Sequence, residues 1–267
     1  MADAPEVISE GHLWLLELVE GVPLRFQLQE SGLLRFGDAE REYRDADDLP
    51  LSIQAAVRHV RECFDRDAFR AGVDSPTEVT FVGVATRNEA IEYDWERLPP
   101  FLGTEVSAGG EGAFRPPDTA GAIFEQLGLT AANALERERR ARDFDPASYQ
   151  FPDSAWYDGP VAGVLVRNKS GGRAALRNPA VGAEAEPLDP DADDLAERFA
   201  THERFERIAA RCRERGQQVT VDALLDRLVE AVSREQYARF EAAREAFEPA
   251  AFRAAAAPLA GSWLGGE

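Results

Sequence analysis

Only one side chain in the sequence carries a primary amine. Of the 30 basic residues, Lys169 is the single lysine and the other 29 are arginine. A lysine amine attacks an electrophile only after it has lost its proton, and a solvated lysine has a pKa of about 10.4. Lys169 is followed by Ser170-Gly171-Gly172, a sequence typical of an exposed hairpin turn. We therefore expect Lys169 to be a surface charge and a poor nucleophile.

The residues that most often bind metals or form disulfides are few and scattered. His12, His59 and His202 stand alone, and no pair of them has the spacing of zinc ligands. Cys63 and Cys212 fall on apolar faces of predicted helices, which is typical of reduced, buried thiols. The sequence therefore predicts no metal site.

Net charge is the strongest compositional signal. The chain has 49 acidic residues against 30 basic ones, a formal charge of −19. Abundant Asp and Glu with almost no Lys is typical of proteins that work in concentrated salt, where a screening length of about 3 Å at 1 M weakens repulsion. We expect a halophilic host, with a GC-rich genome contributing to the arginine and alanine content. On this interpretation the acidity describes the solvent and not a partner.

The length and apolar content predict a folded protein with one sizeable core and a small additional domain. The chain has 267 residues, 44% of them hydrophobic. No apolar run is long enough to cross a membrane, and the opening MADAPEVISEGH has neither a basic leader nor an apolar signal core. These features favour a cytoplasmic protein without membrane association.

The first two thirds of the sequence predict an α+β domain. HLWLLELV, PLRFQLQ and GLLRFG alternate like strands and are separated by turn residues, so we expect an antiparallel meander. An amphipathic helix follows over residues 50–66. EVTFVGVA, EAIEYDW and FLGTEVSA are predicted strands, PPDTAGAIFEQLG is a predicted helix, and VAGVLVRN with GRAALRN forms a predicted hairpin.

The composition changes at EAEPLDPDADD, residues 184–194, where two prolines and a run of acids are typical of a linker. Beyond it the apolar residues recur at helical spacing. One helix is predicted to carry Leu195 to Cys212 and to end at Gly216, a second to begin after Thr220, and a third to carry Tyr237, Phe240 and Phe247 before Pro249. The predicted domains are residues 1–186 and 187–267.

Six segments resemble, in order, the motifs of RNA ligases in the covalent nucleotidyltransferase superfamily. WLLELVEGVPLRF resembles the hairpin that carries Lys-x-Asp-Gly, and LLRFGDAEREY resembles the Phe-Gly-Ser-Arg strand. TFVGVATRNEAIEYDW is similar to Phe-x-Gly-Glu, FLGTEVSA to Phe-Asp-Val, VAGVLVRN to Glu-Gly-Val-Val-x-Arg, and GRAALRN to the final lysine strand. The resemblance covers about residues 10–180, and the helical tail resembles the C-terminal domain of these ligases. It implies an antiparallel-sheet nucleotidyltransferase core followed by a small all-α domain.

The family reaction moves AMP from ATP to an enzyme lysine, then to an RNA 5′-phosphate, and then seals the end. This chemistry needs an amine nucleophile, carboxylates for metal and ribose, and cations near phosphate. The resemblance implies that this chain lacks most of these groups. The degenerate positions are Leu18 for the lysine, Glu20 for Asp, Asp38-Ala39 for Ser-Arg, Val84 and Ala162 for glutamates, and Ala175 for the first lysine of the last strand.

Other motif residues are retained, and they could line a groove for a nucleotide or an RNA end. A fold-preserving role for these glycines and aromatics is the alternative. The groove candidates are Gly21, Arg25, Tyr93, Gly163, Arg167, Arg173 and Arg177, of which Arg25, Arg167 and Arg177 are expected to grip the RNA end.

Three hypotheses follow. The first is a non-catalytic ligase relative that binds RNA ends or an active ligase partner and needs no cofactor. The second is an active RNA ligase with an atypical site, for which ATP and Mg would be required. The third is a structural interaction module, favoured by the apolar side chains at Leu18, Val84 and Ala162.

Overall fold

A computed structural model describes residues 5–43, 48–109, 114–182 and 185–266. The chain divides into two compact units. The first contains Met1–Leu49, Ala56–Thr86 and Ala90–Ala183, and the second contains Pro50–Ala55, Arg87–Glu89 and Glu184–Glu267. Two antiparallel sheets dominate the first unit and helices the second, so the predicted α+β class is confirmed.

The strands of the first unit form two sheets. In chain order they are β1 His12–Glu17, β2 Gly21–Leu28, β3 Leu34–Gly37, β4 Glu42–Tyr43, β5 Val79–Thr86, β6 Phe101–Ala108, β7 Ala134–Arg140, β8 Gly163–Asn168 and β9 Arg173–Arg177. The first sheet has the order β7-β1-β8-β9, and the second has the order β4-β3-β2-β5-β6. The predicted β8–β9 hairpin and the β2–β3 hairpin are confirmed.

The meander predicted for the first three strands is wrong. Strand β1 pairs with β7 and β8, whereas β2 pairs with β3 and β5 in the other sheet. The chain crosses between the sheets at the turn before Gly21, whose φ is +145°. Local alternation predicts that these segments are strands, but it does not identify their partners. The predicted EAIEYDW strand is also wrong, since these residues form a loop.

Aromatic side chains form the core of the second sheet. The rings of Phe26 and Phe81 stack with centroids 4.8 Å apart, and Phe64 meets both edge-on. Phe64 follows α1, Leu51–Cys63, and Phe124 belongs to α3, Pro117–Gln126. A short helix, α2 (Arg66–Gly72), lies between them in the chain. Burying such rings gives this sheet much of its stability.

The second unit packs around the apolar faces predicted from helical spacing. Its helices are α4 Ala192–Phe199, α5 His202–Glu214, α6 Val221–Glu235, α7 Tyr237–Glu241 and α8 Pro249–Gly265. The predicted first helix is interrupted, because Thr201 caps α5 by accepting a hydrogen bond from Arg204 N–H. Thr220 caps α6 as predicted, but the third predicted helix is wrong, because α7 ends at Glu241 before Phe247 and α8 begins at Pro249. Cys212 is buried, and it and the half-buried Cys63 are free thiols. Within the described residues no helix has the length and apolar character of a membrane span.

Candidate functional site

The turn between β1 and β2 carries Leu18, an aliphatic side chain at the position that the sequence resemblance assigns to a lysine. The Leu18 N–H donates to the Gly163 carbonyl at 3.0 Å, which extends the β1–β8 pairing by one residue. A Cβ at Gly163 would lie 2.9 Å from Leu18 Cδ2. The half-buried Leu18 side chain therefore covers Gly163 and occupies the space over the start of β8.

Glu20 binds backbone in this structure. Its Oε2 accepts hydrogen bonds from the N–H groups of Ala90 at 2.9 Å and Ile91 at 3.0 Å. The Glu20 N–H donates to the Tyr93 hydroxyl at 3.2 Å. Burial raises the pKa of Tyr93, and the negative charge of Glu20 adds to this effect. Glu20 thus holds the EAIEYDW loop in place, the segment for which the sequence predicts a strand.

Apolar groups surround this turn. A Cβ at Gly21 would lie 2.8 Å from Val84 Cγ1, so β5 passes close beneath the turn. Ala162 packs against a cluster whose buried members are Val19, Ile91, Tyr93, Leu98 and Leu102, with Trp95, Trp156, Tyr157 and Val181 at its edge. The structure therefore brings Leu18, Glu20, Val84 and Ala162 around the turn. Asp38-Ala39 lies between β3 and β4, and Ala175 is exposed on β9, opposite Leu165.

Two of the four predicted groove arginines meet a carboxylate that sequence reasoning missed. Arg167 is 1% exposed, and its Nη1 lies 3.0 Å from Glu105 Oε1. Arg173 Nη1 lies 2.9 Å from Glu105 Oε2, and its guanidinium stands over the Phe114 ring. Burial lowers the pKa of Arg167, and Glu105 opposes this shift. Glu105 comes from β6, so this triad joins the second sheet to the first.

The other two arginines lie apart from this triad. Arg25 is on β2 in the second sheet, and its Nε donates to the Asp38 carbonyl at 2.8 Å. Hydrogen bonds from Tyr43 and from two backbone N–H groups lower the pKa of Asp38 to about 2. Arg177 is exposed on β9, opposite Gly163. Arg25 is therefore engaged at a turn of its own sheet, whereas Arg177 remains open to solvent.

Lys169 has two interaction partners in the hairpin turn where it was predicted. Its side chain is 57% exposed, and Nζ lies 2.9 Å from Glu138 Oε1. The same ammonium stands 5.0 Å from the centroid of the Trp14 ring. The ammonium is therefore held at the surface by an anion and an aromatic ring.

Glu17, the residue before Leu18, is a second buried carboxylate that sequence reasoning missed. It accepts hydrogen bonds from Ser154 Oγ at 2.6 Å, Asn133 Nδ2 at 3.0 Å and the Ala155 N–H at 3.3 Å. Its one sequence signal was an acid at the end of an otherwise apolar strand.

Within the described ranges, no group of three or more His, Cys, Asp and Glu residues is arranged to hold a metal ion.

No protein-family model matches the sequence, and no curated protein matches it significantly. Solved structures do match the fold. A variant of the Naegleria gruberi RNA ligase with ATP and Mn aligns with a TM-score of 0.50 and 10% identity, over 66% of this chain and 52% of that one. The fold is similar to that of ATP-dependent RNA ligases.

An archaeal ATP-dependent RNA ligase also aligns, with a TM-score of 0.44 and 15% identity, over 89% of this chain. The chain spans 61% of the length of that ligase and about half of the Naegleria ligase. At these identities the likeness concerns the fold alone.

Proposed function

We propose that this protein is a non-catalytic relative of the RNA ligases that acts by binding a partner. The observation that carries the proposal is the packing of Leu18 over Gly163 at the turn that resembles the lysine motif. An aliphatic side chain has no lone pair and forms no bond to the α-phosphorus of ATP. Leu18 also gives the turn an apolar surface beside Gly163, where the resemblance places the nucleophile.

The carboxylates support the same proposal. Val84 and Ala162 stand where the resemblance places glutamates, and both offer only methyl groups to the turn. Glu20 uses one carboxylate oxygen for two backbone N–H groups of the neighbouring loop. A divalent metal and a ribose would need oxygen ligands, which Val84 and Ala162 do not supply.

The lysine content supports it independently of any alignment. A lysyl-adenylate on this chain has to form on Lys169, which is exposed and paired with Glu138. A nucleophilic lysine needs a lowered pKa from burial or from a neighbouring cation. Lys169 has instead a neighbouring anion and an aromatic face.

We expect no covalent adenylate when the protein is incubated with labelled ATP and either Mg or Mn. The measurement is denaturing electrophoresis followed by detection of the label on the protein band. An active RNA ligase treated in parallel confirms that the assay detects an adenylate, and Lys169→Ala is the matched variant. A labelled band in the parent that is absent from Lys169→Ala would mean that the protein is an active nucleotidyltransferase with an atypical site.

We also propose that the acidic surface is an adaptation to concentrated salt. With a formal charge of −19, the parent should lose helical circular dichroism and melt at lower temperature below roughly 0.5 M salt, as screening weakens. A salt series from 3 M to 0.05 M, with an uncharged osmolyte as the control for water activity, measures this. An unchanged spectrum and melting temperature at 0.05 M would contradict the halophilic interpretation.

A further inference from the structure

A groove of about 380 Å³ lies in the first unit, and none of the degenerate positions lines it. Trp14 and Leu16 of β1 and Gly103 of β6 contribute to it, and α3 forms one wall. Trp156 also lines it. Trp156 is half-buried, so part of its indole is open to a flat or cationic group, whereas Trp14 is 2% exposed and its ring already meets the Lys169 ammonium.

The α3 wall presents small residues flanked by acids. Asp118, Gly121, Ala122 and Glu125 all line the groove. At 100° per residue, positions separated by three, four and seven fall on one face of a helix, and the two acids are about 10 Å apart along its axis. A Cβ at Gly121 would approach nothing closer than Ala131 Cβ at 3.8 Å, so the middle of this wall is open.

The acids of this wall are available to a ligand. Both Asp118 and Glu125 are exposed, and in the described part of the chain neither carboxylate takes part in a hydrogen bond or an ion pair. Arg137, also exposed, lines the same groove. The groove thus offers carboxylate acceptors for a cation and, in Arg137, a charged donor for a carbonyl oxygen.

We propose that this groove binds an arginine-bearing segment of a partner protein, which deepens the binding function proposed above. A guanidinium can stack on the indole of Trp156 and fork onto the carboxylates of Asp118 and Glu125, and an ammonium does both less well. The peptide carbonyls beside such an arginine supply acceptors for Arg137. The small side chains of Gly121 and Ala122 let the partner backbone approach closely. An RNA end fits less well, because its phosphates would face the carboxylates of Asp118 and Glu125.

The test uses the full chain labelled with ¹⁵N at tryptophan, at one salt concentration for all samples. The probe is the capped tripeptide Gly-Arg-Gly, and the control probe has citrulline, which is uncharged and similar in shape, in place of arginine. The indole signals of Trp14 and Trp156 should shift with the arginine peptide and respond far less to citrulline. Trp95 and Trp263, which do not line the groove, serve as internal references.

An Asp118→Asn/Glu125→Gln double variant should bind the arginine peptide at least about tenfold more weakly, because two charge-assisted contacts are lost. Asp74→Asn/Glu78→Gln removes the same charge from exposed acids elsewhere and should bind like the parent. Gly121→Leu, which fills the open centre of the wall, should also block binding.

Equal shifts with citrulline, equal affinity in the Asp118/Glu125 variant, or no shift at Trp14 and Trp156 would overturn the proposal. If a short RNA shifts these signals and the arginine peptide does not, the partner is an RNA end instead. Adenylate formation is measured separately, so a catalytically active protein and an unoccupied groove give different results.

Discussion

Replacing Glu105 with glutamine is expected to destabilise the first unit by about 3–5 kcal/mol, because this removes the charge partner of a buried arginine. The side chains of Glu105 and Arg167 are 4% and 1% exposed, with 3.0 Å between Oε1 and Nη1. Glutamine keeps the shape but not the charge, so Arg167 would remain buried without its anion. Urea unfolding at fixed salt, followed by tryptophan fluorescence, measures the change.

The matched control is Glu42→Gln, which removes the exposed ion pair between Glu42 and Arg35. Pairs this exposed contribute about 0–1 kcal/mol, so the control should unfold close to the parent. A Glu105→Leu/Arg167→Met double variant should recover much of the lost stability, because it leaves no unpaired buried charge. If Glu105→Gln and Glu42→Gln have the same free energy of unfolding, the triad contributes little to the packing of the two sheets.

Gly21→Ala is expected to destabilise the same unit by about 3 kcal/mol or more, through backbone strain and overpacking. Gly21 has a φ of +145°, a region that residues with a Cβ rarely adopt. A Cβ there would lie 2.2 Å from the Ala85 carbonyl oxygen, so β2 or β5 would have to move. The measurement is again urea unfolding at constant salt.

Gly11→Ala separates the two causes. Gly11 also has a positive φ, +82°, but nothing lies within 4 Å of the position of its Cβ. This variant should lose only the strain, about 1 kcal/mol. If Gly11→Ala and Gly21→Ala lower the free energy of unfolding by the same amount, close packing against β5 is not the reason for glycine at the turn.

The sequence by itself determined the features that depend on near neighbours. The capping by Thr220, the helical spacing of Leu224 and Leu228 and the β8–β9 hairpin are local patterns, and all are confirmed. The lysine count needs no structure, and it limits any lysyl-adenylate to Lys169. The order of the motif-like segments predicted the ligase-like fold, because most of these segments form the strands that their alternation indicates.

Only the tertiary structure decided how distant residues meet. It assigned β1 and β2 to different sheets, because strand partners are chosen by side-chain packing across the whole unit and not by alternation within a segment. It paired Glu105 with Arg167, although 62 positions separate them in the chain and the sequence suggested an open groove for the arginine. A buried guanidinium needs a nearby anion, and the crossing of the two sheets, which no short segment specifies, determines which anion can reach it.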